Sequence, residues 1–292
     1  NYNLLLRNDP ALRGAVRHDA FKDRNILQKD LPWRNSESGP YWENSDDVNL
    51  IGYVSRAYGG TPVTKTVLLD EWDAVISQNS FHPVRDYLAT LRWDGKPRLD
   101  TILVDYLGAE DNPLTRAMTR KHFTAAVARI LVPGIKYDYV LTLVGDEGIG
   151  KSTLIRALGG EWFDDSFSSG NIGDKEAMEQ LRGRWLIEMG ELKDYKKSTV
   201  ESFKAFISKQ DDSYRPAYGR KTEHYRRQCV FFATTNETAF LKGDTGNRRF
   251  WAVEVYEDMP MMDVFSISRR EIDQIWAEAC HRYREHEPLY LS

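Results

Sequence analysis

The spacing of apolar residues changes character near Asn112. Before it, short segments with helical spacing are interrupted by clusters of Ser, Asn, Asp, Gly and Pro, which predicts a mainly helical region with many breaks. After it, apolar runs of strand length, such as Val140–Val144, alternate with amphipathic helical segments. This alternation is typical of an α/β fold built on a parallel sheet.

A long helix is predicted over Leu114–Leu131, because Asn112-Pro113 is a helix start signal and Pro133-Gly134 is a stop signal. The 292 residues fit two domains of ordinary size. We therefore expect a mainly helical N-terminal domain over residues 1–112 and an α/β domain over residues 113–292, ending in a short helical tail.

The segment GDEGIGKS, Gly145–Ser152, matches the phosphate-loop pattern G-x-x-x-x-G-K-[ST] at every fixed position. It stands between a predicted strand and a predicted helix, where backbone N–H groups can hold phosphate oxygens. We expect Lys151 to reach the β and γ phosphates of ATP and Ser152 to bind Mg²⁺. The residues predicted to contact the nucleotide are Gly145, Asp146, Glu147, Gly148, Ile149, Gly150, Lys151, Ser152 and Thr153.

An acidic element follows in RWLIEMGE, where Glu188 ends a short apolar strand and Glu191 comes three residues later. A carboxylate at the tip of a neighbouring strand can hold the metal ion, and a second can orient the attacking water. The sequence leaves open which glutamate does which. It also leaves open a purely structural reading, a buried strand that ends in a solvated acid.

Two more polar elements lie downstream. The strand QCVFFATTN places the Asn236 amide where it can contact the γ-phosphate or the attacking water, although a turn that caps the strand is the alternative. In GDTGNRRFW, Arg248 and Arg249 precede another strand. An arginine that a neighbouring subunit contributes to the site can stabilise charge on the transferred phosphoryl group. Ordinary surface charge is the alternative for this pair.

Net charge is 40 − 44 = −4, which excludes a simple DNA-coating protein and confines nucleic-acid contact to a local patch. Such a patch lies in RPAYGRKTEHYRR, Arg215–Arg227, which carries five cations against Glu223. Its cations suit phosphates, and Tyr214, Tyr218 and Tyr225 suit base stacking. We expect DNA contact chiefly from Arg215, Tyr218, Arg220 and Lys221. A charged, solvated hairpin is the alternative.

Other classes of function find little support. The two cysteines and six histidines show no metal-ligand spacing, and no apolar run approaches the ~20 residues of a membrane span.

In this order and spacing, the phosphate loop, the E-x-x-E strand, the TTN strand and NRRFW resemble the virulence-associated protein E family. The preceding segment FHPVRDYLATLRWDGKPRLD fits it too, so the resemblance covers about Phe81–Tyr256. That family comprises replication proteins of phages and genomic islands related to superfamily 3 helicases. The resemblance implies an AAA+-like core with Lys151 and Ser152 as Walker A, Glu188 and Glu191 as Walker B, Asn236 as sensor 1, and Arg248 or Arg249 as arginine finger. The separation of the two acids departs from the usual adjacent pair.

The resemblance further implies an ATP-driven helicase or translocase that acts on single-stranded or forked DNA as a homo-oligomeric ring, expected to be a hexamer. Primase or other replication proteins are expected partners, and the cytoplasm of a bacterial host is the expected location. Two alternatives remain open. One is a phosphotransferase that uses the same phosphate loop, and the other is a nucleotide-gated DNA-binding or regulatory module with little turnover.

Overall fold

The computed structural model describes residues 2–35, 37, 39–59, 64–167, 172, 174–190, 197–215, 222–237 and 247–291, without the side chains of residues 197–200. The chain divides into two compact units, Asn1–Asp86 and Tyr87–Ser292. The sequence predicts a boundary at residue 112. The division lies earlier because residues 87–112 are hydrogen-bonded to the rest of the second unit. The backbone N–H groups of Arg98 and Leu99 donate to Oε2 of Glu278 at 2.5 and 3.0 Å.

The first unit combines helices with a small antiparallel hairpin. Its elements are α1 (Tyr2–Asn8), β1 (Val16–Asp19), β2 (Arg24–Leu27), α2 (Asn44–Ala57) and α3 (Lys65–Gln78). Leu6, Leu50, Leu68 and Trp72 are fully buried in its core. The hairpin is an element that the sequence did not predict, added to the helices of this region. Its strands, VRHD and RNIL, are short and carry too few apolar residues to show strand periodicity.

The second unit begins within a helix and contains the large sheet. Its elements are α4 (Pro83–Thr90, which starts in the first unit), α5 (Ile102–Leu107), α6 (Pro113–Leu131), β3 (Val140–Val144), α7 (Lys151–Gly159), β4 (Phe163–Asp164), α8 (Lys175–Gln180), β5 (Leu186–Met189), α9 (Lys197–Ile207), β6 (Asp211–Tyr214), β7 (Glu223–Arg226), β8 (Val230–Thr235), β9 (Phe250–Glu254) and α10 (Arg269–Arg284).

The described strands of this sheet run in the order β4-β5-β8-β3-β9, and every pair is parallel. This confirms the predicted α/β fold with a parallel sheet. All residues of β3, β5 and β8 are buried, as expected for strands covered on both faces. Because the strands are parallel, the segments that follow them meet at one edge of the sheet, where ligands of such folds bind.

Helix α6 packs on the sheet and α10 packs on α6, and buried tryptophans hold both helices. In α6, the predicted start is confirmed, since the Asn112 side chain accepts a hydrogen bond from the Thr115 backbone N–H at 2.9 Å. The indole of Trp185 donates to the Ala126 carbonyl at 2.9 Å, and that of Trp276 to the Leu158 carbonyl at 3.0 Å. These bonds tie α6 and α10 to the elements around the phosphate loop.

Candidate nucleotide-binding site

The phosphate loop joins β3 to α7 at the carboxyl edge of the sheet. Gly150 has φ of +93° and caps the start of α7, a conformation that favours glycine. A Cβ at Gly150 would collide with the side chain of Val264, and one at Gly145 with the Val255 carbonyl. The glycines of the motif therefore serve both the turn and its close packing. The first N–H groups of α7 have no intrahelical partners, because they begin the helix, and this arrangement suits an anion.

Lys151 begins α7, and its side chain is folded back over the loop. Its ammonium donates to the carbonyls of Gly145 at 2.6 Å and Asp146 at 2.5 Å. Burial lowers the pKa of Lys151, while the negative charges of Asp146, Glu147 and Glu188 oppose that shift. A cation held by two neutral carbonyls beside a helix N-terminus is suited to contact phosphate oxygens.

Glu188 connects the phosphate loop to two strands. Its Oε1 accepts hydrogen bonds from the Ser152 hydroxyl at 2.5 Å and the Thr234 hydroxyl at 2.7 Å. The residue is only 3% exposed, yet its Oε2 has no hydrogen-bond partner among the described residues. A buried carboxylate oxygen without a partner is costly, so the geometry suits a bound cation.

The residues at this point fit Mg²⁺. Hydroxyl and carboxylate oxygens are the hard donors that Mg²⁺ prefers, and Ser152 and Glu188 supply one of each. Within the described part of the chain, no group of three or more His, Cys, Asp or Glu side chains forms a metal site. A magnesium ion here would complete its coordination with water and nucleotide phosphate, as Mg²⁺ does in phosphoryl-transfer sites.

A cleft of about 480 Å³ contains these groups. Asn236, exposed at the end of β8, also lines it, so the structure brings together Lys151, Ser152, Glu188 and Asn236. Sequence reasoning missed five lining residues: Asp165, Gly190, Thr234, Thr235 and Phe265. Thr234 belongs to the TTN motif, so its hydroxyl could have been assigned to the site by the argument used for the Asn236 amide, that polar groups at this strand end lie near the phosphates. No motif marks Asp165 or Phe265.

The two arginines of NRRFW lie at the other edge of the sheet. They precede β9, which pairs with β3 from Val140↔Phe250 to Val144↔Glu254. The five paired residues span about 16 Å at ~3.3 Å per residue. Arg249 Nε lies 3.2 Å from Ser208 Oγ and 3.6 Å from Asp138 Oδ2. Arg248 is exposed, with no hydrogen bond or ion pair to any described residue. Neither arginine shares a cleft with Lys151 within one chain.

The predicted hairpin is present, with β6 and β7 antiparallel, and Arg215 is exposed just beyond β6. Arg227, however, is buried and forms a two-point ion pair with Asp212. Its Nε donates to Oδ2 and its Nη2 to Oδ1, each at 2.7 Å. It is therefore not part of a DNA-binding surface. Four predicted site residues lie outside the described residues: Glu191, Tyr218, Arg220 and Lys221.

The expected stacking role of two hairpin tyrosines is also corrected. Tyr214 is 5% exposed, and the Tyr225 ring is covered by the guanidinium of Arg182, 4.0 Å from its centroid. Tyr214 is therefore too buried to stack on a base, and one face of the half-buried Tyr225 is occupied by Arg182.

The family model for the virulence-associated protein E-like domain matches residues 88–292. Three solved apo structures of the NrS-1 C-terminal region also resemble the chain. An A form of residues 305–718 has 14% identity and a TM-score of 0.48, over 90% of this chain and 63% of that one. A second structure of 305–718 and another A form each have 13% identity, over 97% of this chain and 67% of theirs, with TM-scores of 0.51 and 0.53.

The two structures with TM-scores of 0.51 and 0.53 share the fold of this chain. The chain spans 63–67% of the length of the NrS-1 regions it matches. No curated protein matches the chain. Among the described helices, none is both long enough and apolar enough to cross a membrane.

Proposed function

The chain belongs to the virulence-associated protein E-like family, and from that premise we propose that it is an ATP-hydrolysing DNA helicase or translocase of the superfamily 3 type. Its task is the replication of a phage or another mobile genetic element. ATP and Mg²⁺ bind in the cleft at the carboxyl edge of the sheet, and single-stranded or forked DNA is the polymer on which it acts.

The observation that carries this proposal is the buried Glu188 carboxylate, held by Ser152 and Thr234 with one oxygen unpartnered. A loop that only binds phosphate needs no buried acid on another strand of the sheet. A site that hydrolyses a nucleotide needs a metal ligand beside the phosphates and a polar group that positions water. Glu188 and Asn236 supply these two in the same cleft as Lys151.

Each side chain has a distinct part in the proposed reaction. Lys151 and the N–H groups of the loop bind and orient the β and γ phosphates. Ser152 and Glu188 hold Mg²⁺, which when bound neutralises charge that develops on the phosphate oxygens. Asn236 orients the attacking water or contacts the γ-phosphate. With Glu188 bonded to Ser152, we assign the role of proton acceptor to Glu191.

The position of the arginines supports the proposed assembly. Arg248 and Arg249 lie at the opposite edge of the sheet from the phosphate loop, which suits contact with a γ-phosphate bound by a neighbouring copy. We therefore propose a homo-oligomeric ring, a hexamer, with Arg248 as the arginine finger, because Arg249 is already engaged by Ser208 and Asp138. Arg215, Tyr218, Arg220 and Lys221 are proposed to contact DNA. Primase or other replication proteins in the cytoplasm of a bacterial host are the proposed setting.

A strand-displacement assay on forked DNA tests the helicase directly. The proposal predicts that the chain releases a labelled strand in the presence of ATP and Mg²⁺ and that Lys151→Ala abolishes release. A chain that binds ATP and DNA but neither hydrolyses the nucleotide nor moves on DNA would instead be a nucleotide-gated binding module.

A further inference from the structure

A large apolar side chain lies exposed at the nucleotide cleft. Phe265 is 67% exposed and lines the same cleft as Lys151 and Ser152. Among the described residues that line this cleft, it is the only aromatic one. The proposed nucleotide hydrolysis, as argued from the phosphate end of the cleft, makes no use of it.

The position of Phe265 is fixed relative to the phosphate loop. It lies in the 3₁₀ turn Val264–Ser266, where the Asp263 side chain accepts a hydrogen bond from the Phe265 backbone N–H at 2.9 Å. The preceding residue, Val264, is 4% exposed and packs directly on Gly150, where a Cβ would collide with it. The turn that carries the exposed ring is therefore anchored to the loop that receives the phosphates.

The two kinds of lining match the two ends of a nucleotide. Lys151, Ser152 and Glu188 offer charge and hydroxyl groups, which suit a triphosphate and its metal ion. Phe265 offers an apolar aromatic face, which suits a flat base. The cleft volume of about 480 Å³ lies in the range of small-ligand sites. Aromatic side chains stack on any base, because every base has a π-face.

We propose that Phe265 is the platform on which the base stacks, and that it gives the site a preference for purine over pyrimidine nucleoside triphosphates. This inference rests on the proposed function, since it requires the triphosphate to bind at Lys151. The preference follows from the stacking area, because a purine covers more of an aromatic ring than a pyrimidine does. The turn that carries the ring is already anchored to the phosphate loop, so binding has to order only the Phe265 side chain, which favours affinity.

The same segment provides a matched control. Met261 is 74% exposed, carries a side chain of similar apolar character, and is not among the residues that line the cleft. Removing either exposed side chain leaves the buried core intact. A difference between Phe265→Ala and Met261→Ala therefore reports on the cleft and not on folding.

Calorimetric binding to the full chain tests the proposal with four probes, each with Mg²⁺: ATP, GTP, CTP and inorganic tripolyphosphate. Phe265→Ala is expected to weaken ATP and GTP binding about 5- to 150-fold, in line with the ~1–3 kcal/mol of one stacked base. CTP binding is expected to weaken less, and tripolyphosphate binding to stay within about twofold of wild type. Phe265→Trp should restore the purine preference, and Met261→Ala should bind all four probes as wild type does.

Two results would overturn the base platform alone. One is ATP binding by Phe265→Ala equal to that of wild type. The other is an equal loss of ATP and tripolyphosphate, which would mean a distorted phosphate loop. A wild-type chain that binds neither ATP nor tripolyphosphate would overturn the proposed nucleotide site as well. Lys151→Ala shows what loss of the phosphate site looks like, because it should lose binding of both ATP and tripolyphosphate.

Discussion

The hydroxyl of Ser152 donates a hydrogen bond of 2.5 Å to Oε1 of Glu188, and so joins the first turn of α7 to β5. These residues are 36 positions apart in the chain. In the sheet, β8 lies between β3 and β5, and its Thr234 donates to the same oxygen. Three elements thus orient one buried carboxylate, and the other oxygen of that carboxylate is left for a ligand.

Thr234→Val tests this arrangement. Valine keeps the shape of threonine but leaves Glu188 with one donor fewer, a loss of about 1–3 kcal/mol in a buried charge-assisted bond. We expect ATP turnover to fall about tenfold and the Mg²⁺ concentration for half-maximal turnover to rise. Thr142→Val is the matched control, because Thr142 is buried in β3 and its hydroxyl has a single hydrogen bond to the described residues, to the Val140 carbonyl at 3.5 Å. Unchanged Mg²⁺ dependence in Thr234→Val would count against the role of Glu188 as metal ligand.

Arg248→Ala tests the trans-acting arginine. We expect ATP binding and thermal stability to be retained, because the side chain is exposed, and turnover to fall about 10³-fold or more, as for other arginine fingers. Arg249→Ala, in contrast, is expected to lower the melting temperature, since it removes the contacts of Arg249 with Ser208 and Asp138.

Mixing distinguishes a trans arginine from a cis one. Arg248→Ala chains keep an intact phosphate loop, and Lys151→Ala chains keep an intact arginine. Mixtures of the two should recover part of the hydrolysis that each lacks alone. No recovery at any ratio would contradict a site shared between subunits.

Asp212→Ala tests the reassignment of Arg227 from a DNA contact to a structural residue. The substitution leaves the Arg227 guanidinium buried without its carboxylate, which costs about 3–5 kcal/mol. Urea unfolding should show this loss. Asp211→Ala, at the neighbouring exposed position, should change the free energy of unfolding by less than about 0.5 kcal/mol. Equal, small effects of both substitutions would show that the ion pair is not structural.

Three other cations of the segment Arg215–Arg227 are expected to bind DNA. Replacing Arg215, Arg220 and Lys221 with Ala should weaken binding to single-stranded DNA while basal ATP hydrolysis persists. The salt dependence of binding should also flatten, by about 0.7 in log–log slope for each phosphate contact removed. Filter binding at several salt concentrations measures both quantities. A joint loss of DNA binding and basal hydrolysis would indicate misfolding and would not support a DNA site.

His122 predicts a loss of stability at acid pH. Burial lowers the pKa of His122 to about 3, and its Nδ1 lies 2.7 Å from the Tyr137 hydroxyl. Below its ordinary pKa of 6.5 the unfolded chain takes up a proton that the folded chain does not, so stability falls as pH drops from 6.5 towards 3. We expect about 1.4 kcal/mol less stability at pH 5.5 than at pH 7.5 from this residue. The difference should disappear in His122→Gln; if it persists there, another group is responsible.

The sequence predicted what depends on local chemistry. The phosphate loop was identifiable because glycines and a lysine at fixed spacing are required by one short turn. The unit boundary was misplaced because the contacts of Arg98 and Leu99 with Glu278 join positions about 180 residues apart. The role of Arg227 was misjudged because a count of charges does not show burial. Phe265 was missed because it reaches the cleft only through the packing of its neighbour Val264 on Gly150.

The most direct test of the central claim is steady-state ATP hydrolysis measured with and without single-stranded DNA. The proposed motor predicts Mg²⁺-dependent hydrolysis that DNA stimulates severalfold and that Lys151→Ala abolishes under both conditions. Hydrolysis that is indifferent to DNA, or that survives Lys151→Ala, would contradict it.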